Sequence, residues 1–197
     1  GSPFEAFMVK NGVDATLVEG VADTPYDIGA MKLTQHIVKT GVPGLWWRSV
    51  GHTHTAFVME TMMDELAKAA GKDAVAFRRD YLAKHPRVLK VLETVADKAG
   101  WDKPLPKGMG RGIAVHESFG SVCAQVAEVS VVKGAIKVHR VVAAMDCGLV
   151  INPLSATAQV ESAILYGLSA ALSGKITLKD GVVEQSNFHD YPVLRIN

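Results

Sequence analysis

The sequence has no feature that assigns a function by itself. Its 21 basic and 20 acidic residues leave a formal net charge of +1, which argues against a chain-wide field for nucleic acid or an anionic membrane surface. It has no apolar run of about 18 residues, so it predicts no membrane-spanning helix. A nucleophile elbow, a phosphate-binding loop, a dinucleotide fingerprint and a paired zinc motif are also missing. Assignment therefore depends on smaller groups of residues.

Cysteine is scarce as well. Cys123 and Cys147 form neither a Cys-x-x-Cys pair nor a run with metal-ligand spacing. Both lie among apolar, strand-like residues, which favours free, buried thiols over a place in the wall of a site, and favours a disulfide least. Neither end resembles a natural terminus, because the chain opens Gly1-Ser2 and stops within the strand-like residues 191–196. We therefore expect a central piece of a longer protein, whose compartment the sequence does not define.

Hydrophobic periodicity in residues 1–100 predicts a strand followed by three helices. The strand covers residues 31–38, and the helices cover residues 53–70, 73–84 and 86–99. We expect Thr53 or Thr55 to cap the first helix and Asp73 to cap the second. Pro86 suits the first turn of the third helix, and Gly100 suits its left-handed end.

Residues 101–109, which contain Pro104, Pro106 and Gly108, are the candidate domain boundary. Beyond them we predict strands and one long helix. The strands cover residues 112–117, 124–132 and 135–145, the helix residues 153–172, and a last hairpin residues 175–178 and 182–185. Lys133-Gly134 is a two-residue connection that predicts an antiparallel hairpin. Small residues throughout the long helix indicate close approach to another backbone.

The predicted fold class is therefore α+β, with a helical segment followed by antiparallel hairpins packed with a long helix. The predicted organisation has three parts. Residues 1–100 hold the strand, a loop and three helices, residues 101–109 are a linker, and residues 110–197 hold the hairpin and the long helix.

The loop before the first long helix is the strongest candidate site. Arg48 offers a fork of donors suited to an oxyanion, while Trp46 and Trp47 can exclude water around it. Gly51 would let the backbone approach a ligand, and the helix that follows offers N–H groups. The alternative is a loop held by two buried indoles, with Arg48 paired to a local carboxylate.

Two further groups of residues carry weaker signals. Residues 146–153 place an acid, a glycine and a capping Asn-Pro at a strand–turn–helix junction, which is either an anion site or an ordinary turn. Gln159 on the long helix can donate and accept at the same time, as a heterocycle edge requires, or be an ordinary polar helix residue. His52 and His54 could ligate a metal, but hydrogen bonding at the helix entry is the simpler explanation. His116 and Glu117 are adjacent strand residues that point to opposite faces, which argues against a shared site.

Several separate segments form a combination that is specific, although none would be sufficient alone. They are residues 44–55, 59–60, 64–67, 77–79, 110–114, 146–148, 151–153, 159–161 and 186–192. In this combination the chain closely resembles the large, molybdopterin-binding subunit of the xanthine dehydrogenase/aldehyde oxidase family. Its best match is the bacterial branch that contains the beta subunit of isoquinoline 1-oxidoreductase. The resemblance covers nearly the whole chain and implies part of a molybdenum-cofactor-binding domain.

The resemblance also implies roles for individual residues. Trp47 and Arg48 occupy the aromatic and arginine positions of the family's loop beside the molybdenum, so Trp47, Arg48 and Ser49 are expected to contact the cofactor. Arg48 is also expected to fix the substrate, and Trp46 and Val50 to line the substrate pocket. Val50 stands where relatives often have a substrate-stacking phenylalanine, which argues against purine-like specificity. Gln159 matches the glutamine that faces the pterin.

The implied parent protein is a bacterial molybdenum hydroxylase, either cytoplasmic or exported to the periplasm. It would oxidise an N-heteroaromatic (isoquinoline-like) or aldehyde substrate, with water as the oxygen source. Its cofactor would be molybdopterin, in the simple or the cytosine dinucleotide form, and electrons would leave through iron–sulfur clusters on a small partner subunit. The family's general base is a glutamate expected downstream of Asn197, so this chain alone should be inactive. It should bind no cofactor tightly, because most walls of the pocket are missing, and its net charge of +1 predicts no nucleic-acid partner. Its other expected partners are the remainder of its own subunit and a small-molecule substrate.

Two other classes of function remain open at this point. One is a non-catalytic interaction or scaffold module whose Trp46-Trp47 pair anchors a partner protein. The other is an independent metalloprotein built on the histidines. The molybdenum content of the full-length protein distinguishes the first alternative, and stoichiometric zinc or copper would support the second.

Overall fold

The computed structural model describes residues 9–38, 41 and 47–195. The helices are α1 (His52–Ala69), α2 (Ala74–Tyr81), α3 (Pro86–Ala99) and α4 (Pro153–Leu172). The strands are β1 (Val9–Lys10), β2 (Val13–Asp14), β3 (Met109–Ser118), β4 (Ser121–Val132), β5 (Ala135–Asp146), β6 (Leu178–Lys179) and β7 (Val182–Val183). Helices and antiparallel strands share the chain, which confirms the predicted α+β class.

Local capping explains where two of the helices start and stop. The Asp73 side chain accepts hydrogen bonds from the backbone N–H groups of Val75 (2.9 Å) and Ala76 (3.0 Å), as predicted for an N-cap. Pro86 occupies the first turn of α3, and Gly100 ends that helix with φ at +68°. Helix α2 stops at Tyr81, three residues before the predicted end at residue 84, because the chain turns there to bring Pro86 into α3.

The predicted threonine cap of α1 is wrong. The helix begins at His52, and its N-cap is Gly51, which has no side chain to cap with. The hydroxyls of Thr53 and Thr55 donate to carbonyl oxygens instead, those of Val50 (2.7 Å) and Glu19 (2.8 Å) respectively. The threonines therefore fasten α1 to the chain that precedes it rather than accept from its N–H groups.

Strands β3, β4 and β5 form one antiparallel sheet in that order. The connection Lys133-Gly134 has φ values of +52° and +81°, the left-handed pair that a tight two-residue hairpin requires, and it confirms the predicted hairpin. Helix α3 covers one face of the sheet, where Leu92, Val95, Val122 and Val126 have no exposed surface. This core takes residues from both sides of segment 101–109, and the division into two units stays a prediction.

Three expectations about outlying segments need correction. Residues 31–38 form no strand, because no described strand pairs with them and their large apolar side chains, Met31, Leu33, Ile37 and Val38, stay 43–75% exposed. The last hairpin is shorter than predicted, with Asp180-Gly181 as its turn. Both cysteines are free, but Cys147 is exposed in the turn after β5 and Cys123 is only half-buried.

Helix α4 matches the predicted bounds, and the Asn152 side chain caps it by accepting from the Ser155 N–H (3.0 Å). The close backbone approach expected from its small residues is not met among the described residues: none of the helix is buried, and a Cβ built on Gly167 would meet no atom within 4 Å. None of the described helices is both long and apolar enough to cross a membrane.

Candidate functional site

The candidate site is centred on the turn of residues 47–50, which comes directly before α1. The turn is closed by a hydrogen bond from the Val50 N–H to the Trp47 carbonyl (3.1 Å). Val50 has a φ of +49°, which is unusual for a β-branched residue. Such a strained backbone conformation persists only where the surrounding structure imposes it. The Ser49 hydroxyl lies 2.8 Å from that of Thr53, so it stays within the turn. Trp46 lies outside the described residues.

Arg48 and Trp47 both contact Tyr166, which lies on α4. The guanidinium carbon of Arg48 is 4.4 Å from the centre of the Tyr166 ring, and the Trp47 and Tyr166 ring centres are 5.2 Å apart. This is a cation–π contact with a second aromatic ring beside it. The alternative interpretation of the loop is not supported, since Trp47 is 41% exposed and no carboxylate of the described chain pairs with Arg48.

The contact places Arg48 on the side of α4 that carries Gln159. Gln159 and Tyr166 are seven residues apart, so they lie within about 20° of one direction and about 10 Å apart along the helix. Ser162 and Ala163 lie between them on that face, and both are exposed, as is Gln159. The result is an open strip with an amide at one end and a guanidinium stacked on a phenol ring at the other.

The base of the turn is held by the N-terminal segment. The Gly51 N–H donates to the Glu19 carboxylate (2.7 Å), and a Cβ on Gly51 would collide with the Thr16 carbonyl oxygen. The expectation that Gly51 makes room for a ligand is wrong, because the neighbour that needs the room is residue 16 of the same chain. The anion expected at the start of α1 is likewise supplied by the protein, as the Glu19 side chain.

A pair of histidines lies directly beneath this turn. His52 Nδ1 is 2.8 Å from His116 Nε2 on β3, and His52 Nε2 is 3.9 Å from the Glu19 carboxylate. Burial, together with the nearby His52, lowers the pKa of His116 to about 4, so this ring is neutral near pH 7. His54 Nε2 lies 3.1 Å from the Leu17 carbonyl, in hydrogen-bonding range. Among the described residues, no three histidine, cysteine or acidic side chains are grouped as a metal site.

The second junction, residues 146–153, is a turn whose first residue, Asp146, is held by hydrogen bonds. Arg87 donates to the Asp146 carboxylate (3.1 Å) and lowers its pKa, while the Gly148 N–H donates to the same oxygen (3.1 Å). The other guanidinium nitrogen of Arg87 lies 3.7 Å from Glu117. His116 faces His52 while Glu117 faces Arg87, so the two adjacent residues serve different contacts, as their alternation on the strand predicts.

Three of the surface cavities in the described part of the chain, of about 520, 390 and 240 Å³, lie away from the strip. The largest is lined by α2, α3 and Trp101, and the second by α3 and the turn after β5. Neither Arg48 nor Gln159 lines any of them. The strip is an exposed surface outside these three cavities.

The fold and this strip together define an α+β domain that presents a guanidinium and an amide on one open helix face. Two sequence profiles described as molybdopterin cofactor-binding domains match the chain, one over residues 52–197 and the other over residues 9–82. The chain belongs to the molybdopterin cofactor-binding domains of the xanthine dehydrogenase/aldehyde oxidase family.

Its curated relatives are much longer bacterial proteins. The beta subunit of isoquinoline 1-oxidoreductase from Brevundimonas diminuta is 32% identical over 87% of this chain and 23% of its own length. One subunit of the nicotinate dehydrogenase of Pseudomonas putida is 30% identical over 98% of this chain and 18% of its own length. Membrane-bound aldehyde dehydrogenase [pyrroloquinoline-quinone] of Gluconacetobacter polyoxogenes is 30% identical over 98% of this chain and 28% of its own length. The chain thus spans less than a third of each of these relatives.

Two residues of the site were not found from the sequence. Tyr166 could have been found, because it follows Gln159 at the seven-residue spacing that puts two residues on one helix face. Glu19 could not, since it meets Gly51 across 32 residues of chain and no local pattern marks it.

Proposed function

We propose that this chain forms one wall of the molybdopterin site in the large subunit of a bacterial molybdenum hydroxylase. The observation that carries the proposal is the stacking of Arg48 on Tyr166, which brings its guanidinium to the face of α4 that also presents Gln159. Family membership supports the chemical class, and this geometry supports the choice of residues.

The donor groups on the strip fit such a cofactor. A guanidinium that stacks by its flat face keeps its N–H edge available for a phosphate or another oxyanion. The amide of Gln159 can donate to and accept from the edge of a pterin ring. Because Ser162 and Ala163 are small, the strip between the two ends is open over about 10 Å, enough for a flat ring to lie against the helix.

The remaining residues of the turn have supporting roles in the proposal. Arg48 orients the cofactor and substrate, Trp47 and Ser49 form the adjoining cofactor wall, and Trp46 and Val50 line the substrate side. When bound, the cofactor supplies the two-electron redox chemistry at molybdenum. Val50 offers a small aliphatic surface instead of a stacking ring, which suits a substrate held by groups other than an aromatic clamp.

The proposed reaction is hydroxylation of an N-heteroaromatic or aldehyde carbon with oxygen from water. The names of the relatives, which include isoquinoline, nicotinate and aldehyde oxidoreductases, support this range of substrates. We propose that the cofactor is molybdopterin, in the simple or cytosine dinucleotide form, and that electrons leave through a small iron–sulfur partner subunit. The general base belongs to another part of the large subunit, so the 197-residue chain alone should not turn over substrate.

Substitution of Arg48 in the complete enzyme tests this assignment. Arg48→Ala should lower turnover at least tenfold, which corresponds to about 1.4 kcal/mol of barrier, because the oriented donor fork is lost. Arg79→Ala is the matched control, since Arg79 is half-exposed on α2 and pairs only with Glu93 among the described residues. Kinetics of Arg48→Ala equal to those of the control would contradict the assignment.

Metal analysis separates this proposal from a scaffold role. The complete protein should contain molybdenum and pterin in stoichiometric amounts. A fully folded protein that contains neither would instead support a non-catalytic interaction module.

A further inference from the structure

The position of the Arg48 turn depends on contacts that lie outside the strip itself. We propose that Glu19 is a positioning residue for Arg48: it anchors the base of the turn so that the guanidinium reaches Tyr166 and the Gln159 face of α4. This inference rests on the proposed function for its consequence in catalysis. The positioning itself can be measured without cofactor or substrate.

Glu19 contacts the start of α1 through both its side chain and its backbone. Its carboxylate accepts from the Gly51 N–H at 2.7 Å, and its carbonyl accepts from the Thr55 hydroxyl at 2.8 Å. Gly51 is three residues after Arg48. A carboxylate at a helix N-terminus is favoured by the helix dipole, so this contact is stronger than an ordinary neutral hydrogen bond.

The surroundings fix Glu19 in this place. Gly20 has a φ of +82°, and a Cβ on it would lie 2.7 Å from the Thr55 hydroxyl and 2.8 Å from His52 Nδ1. The His52 ring lies between the Glu19 carboxylate and His116 of β3, to which it is hydrogen-bonded at 2.8 Å. The segment that carries Glu19 is thereby packed against both α1 and the sheet.

Glu19 acts on Arg48 through the backbone of the turn. Its carboxylate holds the Gly51 N–H, and Arg48, three residues earlier, contacts the aromatic ring of α4. Removing the carboxylate would leave the Gly51 N–H without its acceptor and would free the base of the turn. Because orienting groups lose their effect when displaced by about 1 Å, such a shift should matter for catalysis.

The contact between Arg48 and Tyr166 gives a direct spectroscopic readout. Arg48 side-chain protons that lie over the Tyr166 ring, 4.4 Å from its centre, should show upfield ring-current shifts in NMR spectra of the full 197-residue chain. Tyr166→Leu should abolish these shifts and so provides the reference for a lost contact. Arg48→Lys removes the signals and assigns them.

Four substitutions then test Glu19. Glu19→Ala and Glu19→Asp should both lose most of the upfield shift, because alanine has no acceptor and aspartate is one methylene too short to reach Gly51. Glu19→Gln should keep it, because an amide oxygen can accept the same hydrogen bond. The control Glu65→Ala removes an exposed carboxylate on α1 and should change nothing. If Glu19→Ala does not fold, Glu19→Asp provides the same test with the charge retained.

The outcomes are distinguishable. An unchanged Arg48 shift in folded Glu19→Asp or Glu19→Ala overturns the positioning role, whatever the enzyme does. A lost shift supports the positioning role. In the complete enzyme, Glu19→Asp should then lower log(kcat/KM) by at least half as much as Arg48→Ala does. Glu19→Gln should keep kcat/KM near the wild-type value. If the shift is lost while Arg48→Ala itself leaves turnover intact, the positioning role stands and the proposed function fails.

Discussion

Arg78 offers the most stringent test of how this domain is held together. Its side chain is fully buried, and it donates to the Glu60 carboxylate (3.0 Å), the Asp64 carboxylate (2.7 Å) and the Glu60 carbonyl (2.9 Å). Glu60 in turn accepts from the Tyr26 hydroxyl (2.7 Å) and the Val115 N–H (2.9 Å). One ionic cluster therefore joins α1, α2, the N-terminal segment and β3.

Arg78→Met should destabilise the chain by about 3–5 kcal/mol, because it leaves the Glu60 carboxylate buried without its cation. That is a large share of the roughly 5–15 kcal/mol by which domains are usually stable. The control Arg79→Met removes a neighbouring guanidinium that is 50% exposed and pairs with a 46% exposed Glu93. It should cost less than about 1 kcal/mol.

The loss in Arg78→Met should also depend on pH. Burial raises the pKa of Glu60, and the charge of Arg78 counteracts that rise. Without Arg78 the pKa of Glu60 in the folded state rises further above its unfolded value. Between these two pKa values the folded state keeps a proton that the unfolded state releases, so the stability falls as the pH rises through this interval. Urea denaturation should therefore show a larger deficit at pH 7.5 than at pH 5. Adding Glu60→Gln should recover about 1–2 kcal/mol at pH 7.5. An Arg78→Met variant no less stable than Arg79→Met would refute this account of the cluster.

The turn and the histidine pair give three further predictions. Gly51→Ala should destabilise the chain by about 2 kcal/mol in chemical denaturation, because the new Cβ meets the Thr16 carbonyl oxygen. Val50→Gly should stabilise it by about 1 kcal/mol, because glycine adopts the +49° φ of residue 50 without strain. His116, whose pKa is about 4 in the folded chain, stays neutral where the unfolded residue protonates, so wild type should lose up to about 3 kcal/mol as the pH falls from about 6.5 to 4. His116→Gln should remove that part of the pH dependence.

Matched substitutions control for these effects. Gly167→Ala lies in α4 with no atom within 4 Å of the new Cβ, so helix propensity alone should make it stabilising by about 0.5–1 kcal/mol. A Gly51→Ala variant that is stabilised to the same extent would rule out the close approach to Thr16. His36→Gln replaces an exposed histidine and is the control for the loss of an imidazole side chain. If His116→Gln leaves the slope between pH 4 and 6.5 as in wild type, the neutral state assigned to His116 is wrong.

What the sequence could predict is the part of the fold that local chemistry determines. The Asp73 cap, the Pro86 start, the Gly100 stop and the Lys133-Gly134 turn depend on residues within a few positions of one another. Residue chemistry marked Arg48 and Gln159 as candidate site residues, and the resemblance implied a cofactor role for both. Neither could say how the two are arranged.

What the sequence could not predict depends on distant contacts. Residues 31–38 alternate like a strand, but alternation cannot supply a pairing partner, and no described strand pairs with them. Thr53 and Thr55 suit an N-cap, yet a carboxylate 32 residues before Gly51 takes that place. Gly51 itself is required by packing, where the sequence suggests a ligand. In each case the presence or absence of a partner remote in sequence decided the outcome.

The most direct test of the central proposal is an experimental structure of the complete large subunit with its cofactor in place. We expect the pterin ring to lie against α4, with its edge about 3 Å from the Gln159 amide and with the Arg48 guanidinium, still stacked on Tyr166, facing the same cavity. A cofactor bound elsewhere, with Arg48 and Gln159 exposed to solvent or covered by another part of the protein, would contradict the proposal.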